Sequence, residues 1–338
     1  MRRTACLGLL LTLFMALAAP GFAQQNQTIN DPAEYKVYMD TVYNEKDPAK
    51  KAAGGEKYLT TYPNSVMRTQ TYMDILLSYY QTQNWAKALE TADKQAQMAP
   101  ALSAEQKKTV NLIGMSAAEQ TKNVAKLVSY VDKVLADDPK HSGALVTMSN
   151  HLATNIPTEP ARVPDHLKKT LEIARRALAA PKIAGLSDAQ WNAILAQLHD
   201  TAAMALYNQK MYAETIAEAQ AALKIDKKDG NAYYLMGLAM KPAAADAIAK
   251  YKAAVNNMNS DENRKADQVV RDGLKADADG LLEAATAKTN ELAQVFAKSV
   301  ATGWANAAAA RKELTQVFTG TPEELNKLIE DMKIEISK

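Results

Sequence analysis

Cysteine is almost missing from this 338-residue chain: the single one is Cys6. The remainder has no thiol, which excludes disulfides, thiolate metal sites and cysteine nucleophiles. Histidine is scarce as well, at His141, His151, His166 and His199, with no HExxH pattern and no pair spaced i,i+4. No G-x-S-x-G elbow, P-loop or G-x-G-x-x-G occurs. A nucleophile–base pair has little raw material here, so no catalytic residue, metal site or cofactor is assigned. Phenylalanine numbers only 4 against 14 tyrosines, and β-branched runs of period two are hard to find; both point to an all-α chain. An excess of one charge is also lacking. The net charge is +2, and setting Arg2 and Arg3 aside leaves 38 basic and 38 acidic residues, which argues against nucleic acid or an anionic membrane as partner.

The first segment has the pattern of a secretory leader. Arg2 and Arg3 precede an apolar core from Leu7 to Ala19, and Gly21-Phe22-Ala23 puts small residues at the cleavage positions. The core is shorter than the roughly 20 residues of a membrane span. The expectation is a signal peptide over 1–23 and an exported protein, periplasmic or secreted. Without disulfides, such a protein is held together by its core alone.

The densest pattern lies from Tyr72 to Pro100. Tyr72, Ile75, Leu76 and Tyr79 are followed by Trp85, Ala88, Ala92 and a closing Pro100. This order resembles the signature of the tetratricopeptide repeat (TPR), a helix–turn–helix unit of about 34 residues. A second stretch is similar: Tyr233, Met236, Gly237 and Met240, then Ala247, Tyr251 and Ala254 after a shortened turn. The closing proline recurs at Pro63, Pro100, Pro139 and Pro181, at intervals of 37, 39 and 42 residues. About six units are expected over 24–258, and a helical, capping region over 259–338. Capping boxes mark helix starts at Ser103–Gln106, Ser187–Gln190 and Thr321–Glu324. Gly54-Gly55 reads as close helix packing. The proline-rich 155–166 segment reads as a loop inserted between paired helices, with three prolines forbidding helix.

The resemblance implies an all-α, right-handed superhelical solenoid of TPR-like hairpins with a C-terminal helical extension. In such a fold the first helix of each pair lines a concave groove. It also implies that Tyr72, Tyr79, Trp85, Tyr212, Tyr233 and Tyr251 are core. By offset from those positions, the groove candidates are Gln70, Met73, Leu77, Tyr80 and Gln81 in one unit. They are Gln197, Asp200, Met204, Tyr207 and Asn208 in another, and Asn231, Tyr234 and Leu238 in a third. Such a surface, apolar to neutral-polar with tyrosine and methionine, suits a protein or peptide partner. The implied function is a non-catalytic exported scaffold, with a small-molecule or polysaccharide binder as the alternative, its pocket beneath the 155–166 loop. An enzyme would need Trp304, Arg311 and Glu313 to converge in a cleft.

Overall fold

The computed structural model describes residues 28–98 and 101–338. The expected leader over 1–23 and the closing Pro100 lie outside the described residues. Two compact units divide the described chain, residues 28–148 and 149–338, and no strand occurs among the described residues.

In the first unit, α1 (Pro32–Tyr38) runs into a wider turn over Met39–Tyr43 and pairs with α2 (Pro48–Thr61). α3 (Arg68–Gln81) pairs with α4 (Trp85–Gln97), and α5 (Ala104–Gln120) with α6 (Val124–Asp137). α7 (Ser142–Thr154) crosses the division between the units. In the second unit, α8 (Val163–Leu178) packs on α9 (Asp188–Asn208), which forms a hairpin with α10 (Tyr212–Ile225). α11 (Gly230–Met258) follows, then a single turn α12 (Asp261–Arg264), the 34-residue α13 (Gln268–Ala301), α14 (Ala307–Val317) and α15 (Pro322–Glu335).

The repeat is visible in the turns. α3–α4, α5–α6 and α9–α10 are joined through Gln83, Lys122 and Lys210, with φ of 55°, 56° and 62°. In each, the N–H three residues past the helix bonds back five residues (Asn84 to Tyr79, Asn123 to Ala118, Met211 to Leu206). The left-handed residue's own N–H bonds back three (Gln83 to Tyr80, Lys122 to Glu119, Lys210 to Tyr207). This pair of hydrogen bonds closes the carbonyls at a helix end and reverses the chain. Asn84 and Asn123 then cap the next helix by accepting from the N–H of Lys87 and Lys126. Met211 has the same place and no side-chain cap. The capping boxes at Ser103, Ser187 and Thr321 all form.

At two close helix contacts a glycine faces a large aromatic ring. A Cβ on Gly114 of α5 would lie 2.5 Å from the Tyr130 ring of α6, and one on Gly237 of α11 would lie 2.6 Å from the Phe296 ring of α13. Gly54 abuts the Thr41 backbone and Gly55 abuts Ile75, so that pair serves close packing. Tyr130 is anchored further: its hydroxyl donates to Asp93 Oδ1 at 2.9 Å. Tyr58, Tyr130 and Phe296 are the largest fully buried rings. Tyr79 is buried as expected, whereas Tyr72, Trp85, Tyr212, Tyr233 and Tyr251 are only half-buried.

The sixth hairpin departs from the expected pattern. No turn interrupts α11 at Pro242; the helix runs on for 29 residues. Proline removes one backbone donor and disfavours the preceding turn, but the segment after it, AAADAIAKYKAA, is rich in strong helix formers. The second helix of the pair is α13, whose Phe296 lies 59 residues after Gly237, against 16 from Gly114 to Tyr130. Within the expected helical region over 259–338, residues 268–301 form this one helix. The far half of α13 buries only Ala278 and Ala285, while Val269, Val270 and Leu282 are exposed. Its near half, through Leu292, Phe296 and Ala297, joins Leu314 of α14 and Leu325 and Ile329 of α15 in one cluster. The loop before α8 is shorter than expected. A 3₁₀ turn over Pro160–Arg162 leads into α8, and Pro164 sits in its first turn, where its missing N–H costs nothing.

Candidate functional site

The sequence candidates on α3 divide. Met73 has no exposed surface. It is core and offers nothing to a partner, which corrects its assignment to the groove. The cause is packing on both flanks: α3 touches α2 on one side and α4 and α5 on the other, so Thr71, Met73, Ile75, Leu76, Ser78 and Tyr79 are all buried. Gln70 and Leu77 are half-buried, Gln81 is exposed, and Tyr80 is half-buried with its ring edge-on to Trp85 at 5.6 Å. Gln70 Nε2 reaches Asp74 Oδ1 at 3.4 Å. Burial pushes the Asp74 carboxyl up to about 6, opposed by Lys51; the sequence reading passed over this residue.

The candidates of the second unit come together on α9 and α11. On α9, Gln197, Asp200, Met204 and Tyr207 follow i, i+3, i+7, i+10, one stripe of the helix. Asn208 stands beside it, exposed, its amide donating to the Met204 carbonyl. On α11, Asn231, Tyr234 and Leu238 repeat the spacing, and Lys241 extends it by a turn. Side chains lace the stripes. Gln197 Nε2 donates to Asn150 Oδ1 of α7 at 3.2 Å, and Asn231 Nδ2 donates to Asp200 Oδ2 at 2.7 Å. Tyr234 packs between Phe296, at 6.2 Å, and Trp304, at 5.7 Å. Leu238 lies against the Phe296 cluster and Tyr207 against Tyr212. Lys241 pairs with Glu313 of α14.

Two polar atoms in this neighbourhood are buried without a hydrogen-bond partner: Asp200 Oδ1 and Trp304 Nε1. Burial and the adjacent Asp229 carboxylate push the Asp200 pKa up to about 8. Trp304 reaches the site because Gly230 opens α11: a Cβ there would lie 2.4 Å from the indole. Asp229, Lys241, Glu313 and the placement of Trp304 were not drawn from the sequence as parts of one site. The i+3 step from Leu238 to Lys241 is the signal that points to the lysine.

Trp304, Arg311 and Glu313 each engage a different residue. The indole packs on Tyr234, Arg311 bonds Asn326 Oδ1 at 2.8 Å, and Glu313 is engaged by Lys241. His151 bonds Asn155, and His166 bonds the Leu152 carbonyl. No group of histidine and carboxylate side chains that could hold a metal ion occurs among the described residues. No described helix is long and apolar enough to cross a membrane. A cavity of about 440 Å³ opens between α10, α11 and α13, lined by Ile216, Met236, Met240, Pro242 and Val295, with Lys288 and Glu291 exposed at its edge. Residues 155–166 do not line it.

With its helix pairs, shared turns and glycine-to-ring contacts, this is an all-α, TPR-like helical-repeat protein. No family model matches the chain and no curated protein is similar to it. Among solved structures, MamA MSR-1 C2 is 14% identical, with 64% of this chain and 98% of that one covered, at a TM-score of 0.36. A tetratricopeptide repeat protein from Parabacteroides merdae is 10% identical, covering 86% and 100%, at 0.39. The human IFIT1 dimer with m7Gppp-AAAA is 12% identical, covering 86% and 74%, at 0.24.

Proposed function

We propose that this protein is a non-catalytic, exported scaffold that binds a protein or peptide partner on the first-helix face of α9 and α11. Export rests on the leader pattern of residues 1–23; sequencing the N-terminus of the protein recovered from the periplasm tests it, with Gln24 as the expected first residue. The observation that supports binding is the laced row of Asn150, Gln197, Asp200 and Asn231 beside Tyr207 and Tyr234. Amide side chains offer donor and acceptor together, which suits an extended backbone. Half-buried tyrosines add contact area at low entropic cost.

Selection of a displayed random peptide library on the full chain tests this reading. Enriched peptides should lose at least tenfold in affinity to Tyr207→Ala and to Gln197→Ala, both with unchanged circular dichroism. Absence of enrichment, or peptides indifferent to both variants, refutes it. A second reading, a small apolar ligand, is favoured by the methionine-lined cavity beside Pro242. Peptides displaced by Met236→Trp and not by Tyr207→Ala would shift the site there.

A further inference from the structure

Asp200 lies on α9 where the chain enters α11. Its Oδ2 accepts from Asn231 Nδ2 at 2.7 Å, and its Oδ1 is buried with no hydrogen-bond partner. The charged groups that act on it are the Asp229 and Asp226 carboxylates, both in the turn before α11. As a carboxylate, the second oxygen of Asp200 would face like charge in a buried place. Carrying a proton, the same oxygen becomes a donor, and Asp229 is built to be its acceptor. Asp229 Oδ1 takes the backbone N–H groups of Asn231 and Ala232 at 3.0 Å each, at the positive end of α11. The division of roles is therefore Asp229 as anion and Asp200 as acid.

We propose that Asp200 keeps a proton in the folded protein, and that its O–H···O⁻ bond to Asp229 is a pH-sensitive latch between α9 and the start of α11. Opening releases one proton to solvent and leaves two carboxylates facing each other. The movement would be passed on, since Gly230 follows Asp229, sits beneath Trp304 and Thr302, and accepts through its carbonyl from Ser299 Oγ at 2.7 Å. The direction of the pH effect follows from linkage. The folded pKa of Asp200, about 8, is above that of an unfolded aspartate, about 3.9. Its contribution is complete below the lower value and is lost as pH rises through the upper one. The latch stands whether or not this face binds a partner.

Hydrogen exchange of the full chain from pH 5 to 9, corrected for intrinsic rates, tests it. In the wild type, protection over 197–208 and 229–236 should fall with rising pH, by up to about tenfold per pH unit, the limit for one proton. Asp200→Asn should be flat, because its amide donates to Asp229 at every pH. A flat wild-type profile, or an Asp200→Asn profile as steep as the wild type, overturns the proposal. Asp229→Asn keeps a good helix cap and removes the neighbouring charge, so it should move the wild-type midpoint to lower pH. An unmoved midpoint is a second way to refute it, independent of how Asp200→Asn folds.

Discussion

Adding one methyl group to a helix of this protein should have opposite effects at two glycines. At Gly237, a Cβ would lie 2.6 Å from Phe296 Cε1 and 2.9 Å from Cδ1 and Cζ, and Phe296 has no exposed surface. Carbon atoms prefer about 3.5–4.0 Å, so the ring or a helix must yield by roughly 1 Å. Overpacking of this kind costs about 1–3 kcal/mol, against a gain of about 1 kcal/mol when alanine replaces a helical glycine. Gly237→Ala should be destabilising by about 1 kcal/mol net. Gly280, in the far half of α13, has nothing within 4 Å of its would-be Cβ, so Gly280→Ala should keep the whole helix-propensity gain and stabilise by about 1 kcal/mol. Urea midpoints read by helical circular dichroism give the comparison, with exchange over α11 assigning the change to the second unit. Adding Phe296→Leu to Gly237→Ala should recover part of the loss, a favourable coupling of about 1 kcal/mol. An upward shift for Gly237→Ala equal to that of Gly280→Ala would refute the packing argument.

Gln95 is fully buried in α4 and both of its amide atoms are without a hydrogen-bond partner. Gln95→Met, similar in shape and apolar, should stabilise the first unit by about 1–3 kcal/mol, seen as a higher urea midpoint; a lower midpoint would mean the amide has a polar role. Met211 begins α10 where Asn84 and Asn123 cap their helices. Met211→Asn should supply the missing cap and add about 1 kcal/mol, measured as slower exchange of the first α10 amides, and unchanged exchange would count against the shared turn geometry.

How far the sequence could be read depended on how local the determinant is. Caps and turns depend on a few neighbouring residues, so the capping boxes at Ser103, Ser187 and Thr321 and the hairpins α3–α4 and α9–α10 were legible. The shortened turn expected between Met240 and Ala247 does not form, because the alanine-rich chain there favours helix and α13 packs along α11. Phe296, the partner of Gly237, is 59 residues away, and no local spacing points to it. Met73 was misplaced since one repeat does not show that both its flanks are covered. On the candidate face, the offset from the matched core positions picked out Gln197, Asp200, Asn231 and Tyr234, which the structure lays side by side. The burial of Asp200 against Asp229 comes from the meeting of two helices and is visible only in the fold.

The unequal burial of α13 leaves it an unpacked tip. Phe296 and its neighbours clamp one end and Ala285 and Ala278 still pack beyond it, so the stretch with no buried residue runs about 15 Å from Ala278 back to Gln268, at 1.5 Å per residue. Within α13, fraying is therefore expected first at Val269 and Val270, far from the clamp at Phe296.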